Sequence, residues 1–393
     1  MHTGLERIFL HRLDLVRGRR VGLIVSPASI DLTYRHAADI FAARPECTLA
    51  ALFGPQHGIR GETQDNMIEW EGWPRDSRLG VPVYSLYGKT RKPTPDMLAD
   101  VDVLVFDVPD VGTRVYTFIY TMALAMEAAK ERGVPFVVLD RPNPITGLDI
   151  EGPVLDPAFA SFVGMYPIPM RHAMTVGELA RLFNDIGGIG CDLHVVEMEG
   201  WTRAVWLDKT WLPWVMLSPN MPTLDTAIVY PGMVLFEGTQ VSEGRGTTRP
   251  FEIIGAPYID PYQLTESLNA LNLPGVHFRP TWFQPTFHKF AGQVCGGLQL
   301  HVLNRASFRS FRVAVEILKA IHRFHPQQFA WKEPPYEYVY DKNPFDVIVG
   351  GDALRRHVEN DTPWNAIEAE WEPKLNEFRE LRRQYLLYGD ESF

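Results

Sequence analysis

Short apolar runs that end abruptly in polar clusters punctuate the first half of the chain. Arg20–Val25, Leu49–Phe53, Val81–Tyr84, Val101–Phe106, Pro135–Leu139 and His194–Met198 are each four to six residues long, and turn residues or charges follow them closely. Such runs read as buried parallel strands. Helical periodicity fills the gaps, over 33–43, in a short segment opened by Pro95 over 95–98, and over Phe118–Arg132 up to Gly133. Thr175-Val176-Gly177-Glu178 has the form of a capping box that opens a further helix through Asn184. Strands alternating with helices predict βαβ units and a mostly parallel, Rossmann-like sheet, an α/β layer. After Trp201 the pattern changes and turns, aromatics, Gly and Pro become dense. A strand over Gln293–Val302 with a kink at Gly296-Gly297 is expected there, then helices over 307–324 and 365–387. The expectation is a Rossmann-like domain over 1–205 and a smaller α+β domain over 206–393, with an active-site cleft between them.

Open α/β sheets place ligands beyond the carboxyl ends of their strands, so the polar clusters are the candidate site. Behind the 49–53 run lie Gln56, His57, Arg60, Glu62 and Asp65. Glu62 and Asp65 are candidate acids or bases, and His57 a hydrogen-bond donor. Behind the 101–106 run come Asp107, Asp110, Arg114 and Tyr116. Asp140, Arg141 and Asn143 follow the next run, where Pro142 and Pro144 stiffen the loop and lower the entropy lost on binding. In the second half, Glu237 to Arg249 carries Glu243, Arg245 and three glycines, a composition that can fold donors around an anion. Asn220 sits in a similarly rigid loop, and Lys89 beside the aromatics Tyr84 and Tyr87. Each has a plainer reading. Asp107 also reads as a turn cap or an arginine partner, and the glutamates near Arg245 and Arg249 as ordinary ion pairs.

Composition narrows the chemistry. At 393 residues, two cores are expected, and a formal net charge of −10 argues against a nucleic-acid binder. The first strand ends in Ser26-Pro27-Ala28-Ser29, and neither G-x-G-x-x-G nor a P-loop occurs, which disfavours NAD, phosphoryl transfer and any nucleotide cofactor. Cys47, Cys191 and Cys295 form no CxxC, and no His/Asp/Glu spacing suggests a metal. No apolar stretch reaches the length of a membrane span. Charges interrupt the opening Met1–Arg7, so a cytoplasmic protein is expected unless a leader was trimmed, and the oligomeric state stays open.

The segments Phe53-Gly54-Pro55, His57-Gly58, Ser85–Thr90, Asp110–Arg114, Leu139–Pro144, Glu151-Gly152-Pro153, Ser218–Thr223 and Glu237–Thr248 together resemble the DUF1343 family nearly end to end. Its characterised members are exo-acting β-N-acetylmuramidases of the NamZ type. The resemblance implies a Rossmann-like domain, a smaller C-terminal domain, and removal of terminal N-acetylmuramic acid from peptidoglycan fragments without metal or nucleotide. It also implies a catalytic glutamate directly before the His-Gly pair, and this chain has Gln56 there. An amide has no proton to deliver at neutral pH. The acid expected in its place is Glu62, with Glu243 or Asp107 as its partner. The lactyl carboxylate would fall to Arg141, Arg245 or Arg249. A sugar-binding protein without turnover, or a hydrolase of another carboxylated sugar, stands as the alternative.

Overall fold

The structure is a computed structural model and describes residues 1–64 and 67–389. Six strands, β1 (Arg20–Val25), β2 (Thr48–Gly54), β3 (Val83–Ser85), β4 (Val103–Asp107), β5 (Phe136–Leu139) and β8 (Leu193–Val196), form one sheet in the order β3-β2-β1-β4-β5-β8. Every pairing in it is parallel. Between them in sequence, β6 (Glu151–Val154) and β7 (Pro169–Arg171) make an antiparallel pair.

Side chains alternate across the sheet and divide the core in two. Ile24, Phe106 and Val138 pack with α3 (Phe118–Arg132) and α4 (Val176–Ile186), whereas Leu23, Val105 and Val137 pack with Leu5 and Phe41. Leu5 and Phe41 belong to α1 (Gly4–His11) and α2 (Ala37–Ala42). The α4 capping box forms as expected, with Thr175 and Glu178 bonding each other's backbone. Two helical expectations shrink. The 33–43 segment is helical only over Ala37–Ala42, and the residues from Pro95 form turns.

The second half contains α5 (Leu224–Met233), β9 (Ile253–Ala256), α6 (Pro261–Ala270), β10 (Val276–Phe283), β11 (Cys295–Val302), α7 (Ser310–Phe324), α8 (Pro344–Val349), α9 (Ala353–Glu359) and α10 (Trp364–Arg382). The strands form an antiparallel sheet in the order β10-β11-β9. The glycine pair in β11 does not kink it. A Cβ on Gly297 would lie 2.0 Å from the Ile254 carbonyl oxygen, so glycine is what lets β9 close on β11. One apolar cluster runs from Phe106 and Tyr120 through Tyr230 and Phe236 to Leu318 and Phe345, so the two halves share a core.

Two residues expected at a substrate site fasten this seam instead. Arg114 is fully buried and donates to the carbonyls of Pro153, Ile168, Ile348 and Val349, tying the first half to α8. Asp140, also fully buried, accepts from Thr175 Oγ1 at 2.8 Å, from the Gly177 N–H at 2.8 Å and from the Tyr388 hydroxyl at 2.5 Å. It caps α4 and docks the C-terminal segment. A buried carboxylate or guanidinium must be satisfied in this way to persist.

Candidate active site

The segments after β2 and β4 meet the second half around a partly open cavity of about 440 Å³, counted to its opening. Gln56 and His57 enter it from the turn after β2. That turn is tight: a Cβ on Gly54 would meet the Trp70 ring at 2.5 Å, and the Trp70 indole donates to the Pro55 carbonyl at 3.0 Å. His57 takes a left-handed conformation with φ of 70°, its Nδ1 2.7 Å from the Thr63 carbonyl oxygen. Tyr116 and Thr117 line the cavity at the N-terminus of α3. Ser218 and Asn220 come from the loop before α5, with Asn220 donating to the Gln64 carbonyl at 2.9 Å. Glu237 comes from the short helix Val234–Gly238, and Arg245 from the glycine-rich loop.

Tyr336 and Glu337 complete the wall. The Tyr87 hydroxyl donates to Glu337 Oε2 at 2.8 Å, and the Gln56 side chain also bonds this carboxyl group. Because the Thr117 hydroxyl donates to Gln56 Oε1 at 2.7 Å, the amide NH₂ is the end left to donate to Glu337. Burial, with the nearby Glu237 charge adding to it, pushes the Glu337 carboxyl up to about 7 against the hydrogen bond from Tyr87. Glu237 has a different setting. Arg245 Nη2 lies 2.6 Å from its Oε1, and the Tyr336 hydroxyl donates to its Oε2 at 2.7 Å. Two carboxyl groups in one cavity, one able to hold a proton near neutrality and one facing a guanidinium, can share acid and base work.

Several expected residues lie elsewhere. Glu62 is exposed, its carboxylate folded back over Gly58, and does not line the cavity. Asp107 and Arg141 are bound to each other, through Arg141 Nε and Nη2 at 2.6 and 2.8 Å, with Arg141 Nη1 on the Ile30 carbonyl. That bidentate buried pair leaves neither as proton donor nor carboxylate clamp. Glu243 is buried among Lys289, His288 and Arg245, at 2.7, 3.3 and 3.3 Å. Burial alone would raise its pKa, but the Lys289 charge, with the hydrogen bond to His288 and the Arg245 charge, outweighs it and holds the carboxyl well below the ordinary range. Glu243 therefore braces Arg245 and donates no proton.

Arg60 pairs with Asp76 and lies over the Trp73 ring, Lys89 is exposed beside Glu71, and Arg249 pairs with Glu252 outside the cavity. Asn143 bonds the Met174 carbonyl and the Ile145 N–H, which makes it a turn-holder. Asp110 faces a neighbouring cavity. Asp65 lies outside the described residues. Among the described residues no group of three His, Cys, Asp or Glu is placed to hold a metal ion. Sequence reasoning missed Glu337, Tyr336 and Tyr230. The available signal was Pro334-Pro335-Tyr336-Glu337, a proline-stiffened loop carrying an acid, like the loops singled out at 141–144 and 218–222.

A paired set of carboxyl groups in a cavity at the strand ends of a Rossmann-like sheet is the equipment of a glycoside hydrolase. The family models for the N-terminal and C-terminal parts of exo-beta-N-acetylmuramidase NamZ match residues 21–225 and 228–388. The peptidoglycan beta-N-acetylmuramidase NamZ of Bacillus subtilis (strain 168) is 48% identical over 388 residues, spanning 99% of this chain and 91% of that protein. Two crystal structures of DUF1343 family proteins from Bacteroides fragilis NCTC 9343 superpose with TM-scores of 0.88 and 0.75. They are 36% and 28% identical and cover 98% and 99% of both chains, respectively. The chain belongs to the exo-β-N-acetylmuramidase NamZ family of glycoside hydrolases.

Proposed function

We propose that this protein removes a terminal N-acetylmuramic acid, or a closely related carboxylated 2-acetamido sugar, from peptidoglycan fragments, with Glu337 as the general acid. The observation that carries the assignment is the Glu337 carboxyl, buried against Gln56 in the same cavity as Glu237, with a pKa of about 7. Glu337 gives its proton to the glycosidic oxygen as the C1–O bond breaks, and the aglycone leaves as a neutral alcohol. The electron-poor C1 is then met by the Glu237 carboxylate, by a water that Glu237 deprotonates, or by the sugar's own acetamido oxygen. Gln56 cannot supply the proton, and its amide holds the carboxyl group that does. Among the three arginines considered for the lactyl carboxylate, Arg245 is the one that lines this cavity, where it is shared between Glu237 at 2.6 Å and Glu243 at 3.3 Å rather than locked in a bidentate pair as Arg141 is.

Release of nitrophenol from nitrophenyl β-N-acetylmuraminide tests the reading. Turnover by the wild type supports it, and cleavage of the muramic acid–N-acetylglucosamine disaccharide, whose leaving sugar needs the proton, assigns the acid: its loss in Glu337→Gln supports Glu337, and equal rates in the two remove it. Calorimetric binding of N-acetylmuramic acid by a wild type without turnover would instead indicate a sugar-binding protein. Equal affinity for N-acetylglucosamine, which lacks the lactyl group, would remove the role of Arg245.

A further inference from the structure

A groove runs beside α7 and α10 and shares no lining residue with the catalytic cavity. It consists of two crevices of about 880 and 1110 Å³, counted to their openings, which meet at Arg312, Trp364 and Glu368. The first continues past Trp371 and Leu375 to Arg379 along one face of α10. The second continues past Glu316 and Lys319 to Arg323 along one face of α7. At 1.5 Å per residue, the α10 stretch alone is about 22 Å long. α5 stands between the groove and the catalytic cavity. Its Tyr230 lines that cavity, and its Gly232 N–H donates at 2.8 Å to Ser310 Oγ at the start of α7.

Aromatic rings floor the first crevice, where Trp371 meets Phe311 and Trp364 edge to face with centroids 5.3 and 5.8 Å apart. Trp364 is half-buried, and the Arg312 guanidinium lies 5.8 Å from its ring centroid. Among the described residues neither Arg312 nor Glu368 has a hydrogen bond or an ion pair, so a donor and an acceptor stand uncommitted where the crevices meet. Further out the charges pair off, Arg379 with Glu372 at 2.7 Å and Arg323 with Asp361 at 3.0 Å.

Three cations face four carboxylates in the first crevice, and three face three in the second, so the groove builds no strong field of either sign for a polyanion or a polycation. It presents donors beside acceptors, next to an indole. A hydroxyl group both donates and accepts, and the C–H face of a sugar ring sheds water against an aromatic ring. An extended peptide would be held by rows of backbone partners, and the long walls here are helices whose backbone groups bond internally. A chain of sugar rings fits the lining along its length.

We propose that the groove beside α7 and α10 is a second, non-catalytic glycan-binding site, which holds a chain of 2-acetamido sugars with one ring on Trp364 and its polar groups between Arg312 and Glu368. The choice of 2-acetamido sugars rests on the peptidoglycan reading above. The presence of a glycan site rests on the groove alone.

The test is calorimetry on the full chain with chitohexaose, a chain of 2-acetamido sugars without lactyl groups, and with cellohexaose, which lacks the acetamido groups. Two variants are compared with the wild type: Trp364→Ala, which removes the stacking face, and Arg312→Gln, which removes a charge that has no partner for folding to lose. Urea unfolding midpoints confirm that both are folded. The wild type is expected to bind chitohexaose more tightly than cellohexaose, and each variant to lose at least about fivefold in chitohexaose affinity. No binding, or equal affinity in the wild type and Arg312→Gln, overturns the site. Tighter binding of cellohexaose overturns the choice of sugar. A wild type that binds chitohexaose in this variant-sensitive way but does not cleave nitrophenyl β-N-acetylmuraminide overturns the proposed function and leaves the glycan site standing.

Discussion

The Tyr87 hydroxyl and the Glu337 carboxylate meet at 2.8 Å although 250 positions separate them in sequence. The contact joins the loop after β3 to the loop before α8 and fixes the acid against Gln56. Arg91, 4.0 Å from the centroid of the Tyr87 ring and 4.8 Å from that of Tyr338, secures the same junction. A carboxyl group so placed, with a pKa of about 7, is protonated often enough at neutral pH to act as an acid.

Glu337→Gln keeps the shape and the Tyr87 and Gln56 partners but removes the transferable proton. Its kcat on a sugar leaving group is expected to fall roughly a hundred- to ten-thousandfold, with N-acetylmuramic acid binding retained by calorimetry. A nitrophenyl leaving group, which needs less protonation, loses less. Equal losses on both substrates would count against proton donation.

The same residue sets a pH dependence. Its pKa is about 7 in the folded protein against an ordinary 4.5, so the native state binds this proton more tightly than the unfolded chain does. The stabilisation is complete below about 4.5 and is lost as pH rises through about 7. Asp140, raised from 3.8 to about 7 chiefly by burial, acts in the same direction. The urea midpoint of the wild type is expected to fall between about pH 5 and about pH 8, and Glu337→Gln to fall less. In turnover, kcat/KM declines on the alkaline side as Glu337 loses its proton. A rising midpoint over that range would contradict the assignment.

Much of the first half was legible because parallel strands buried on both faces leave continuous apolar runs, and β1, β2, β4 and β5 lie where those runs do. The rim of the sheet was legible for the same reason, and Gln56, His57, Tyr116, Asn220, Glu237 and Arg245 share one cavity. Which acid has which role was not legible. Asp107, Glu243 and Glu337 are all buried, and only the partners delivered by distant segments distinguish them: Arg141 for the first, Lys289 and His288 for the second, Tyr87 for the third. Local sequence carries no record of those partners. Glu62 illustrates the opposite error, since its loop reaches the site and its side chain turns away.

Glu62→Gln is accordingly expected to change kcat by no more than about twofold, because a group outside the cavity cannot reach the proton in flight. A collapse of kcat in this variant, with Glu337→Gln still active, would restore Glu62 as the acid.

Asp107→Asn leaves the Arg141 guanidinium buried without its counter-charge. Breaking such a pair costs about 3–5 kcal/mol, which equilibrium urea unfolding will read. The folded fraction should keep its alkaline pH profile, since Asp107 touches Arg141 rather than the cavity that holds Glu337.

Glu243→Gln separates bracing from catalysis. The glutamate meets Lys289 at 2.7 Å and Arg245 at 3.3 Å, and Arg245 in turn meets Glu237 at 2.6 Å. Removing the central charge strands buried cations and is expected to cost about 3–5 kcal/mol of stability. It also frees Arg245 to shift, which weakens its hold on Glu237 and on an anionic sugar, so KM for the muramic acid substrate rises. The alkaline limb of the pH profile belongs to Glu337 and keeps its position. If Glu243 were instead half of the catalytic pair, kcat would collapse with KM little changed, and steady-state kinetics on folded Glu243→Gln decides between the two.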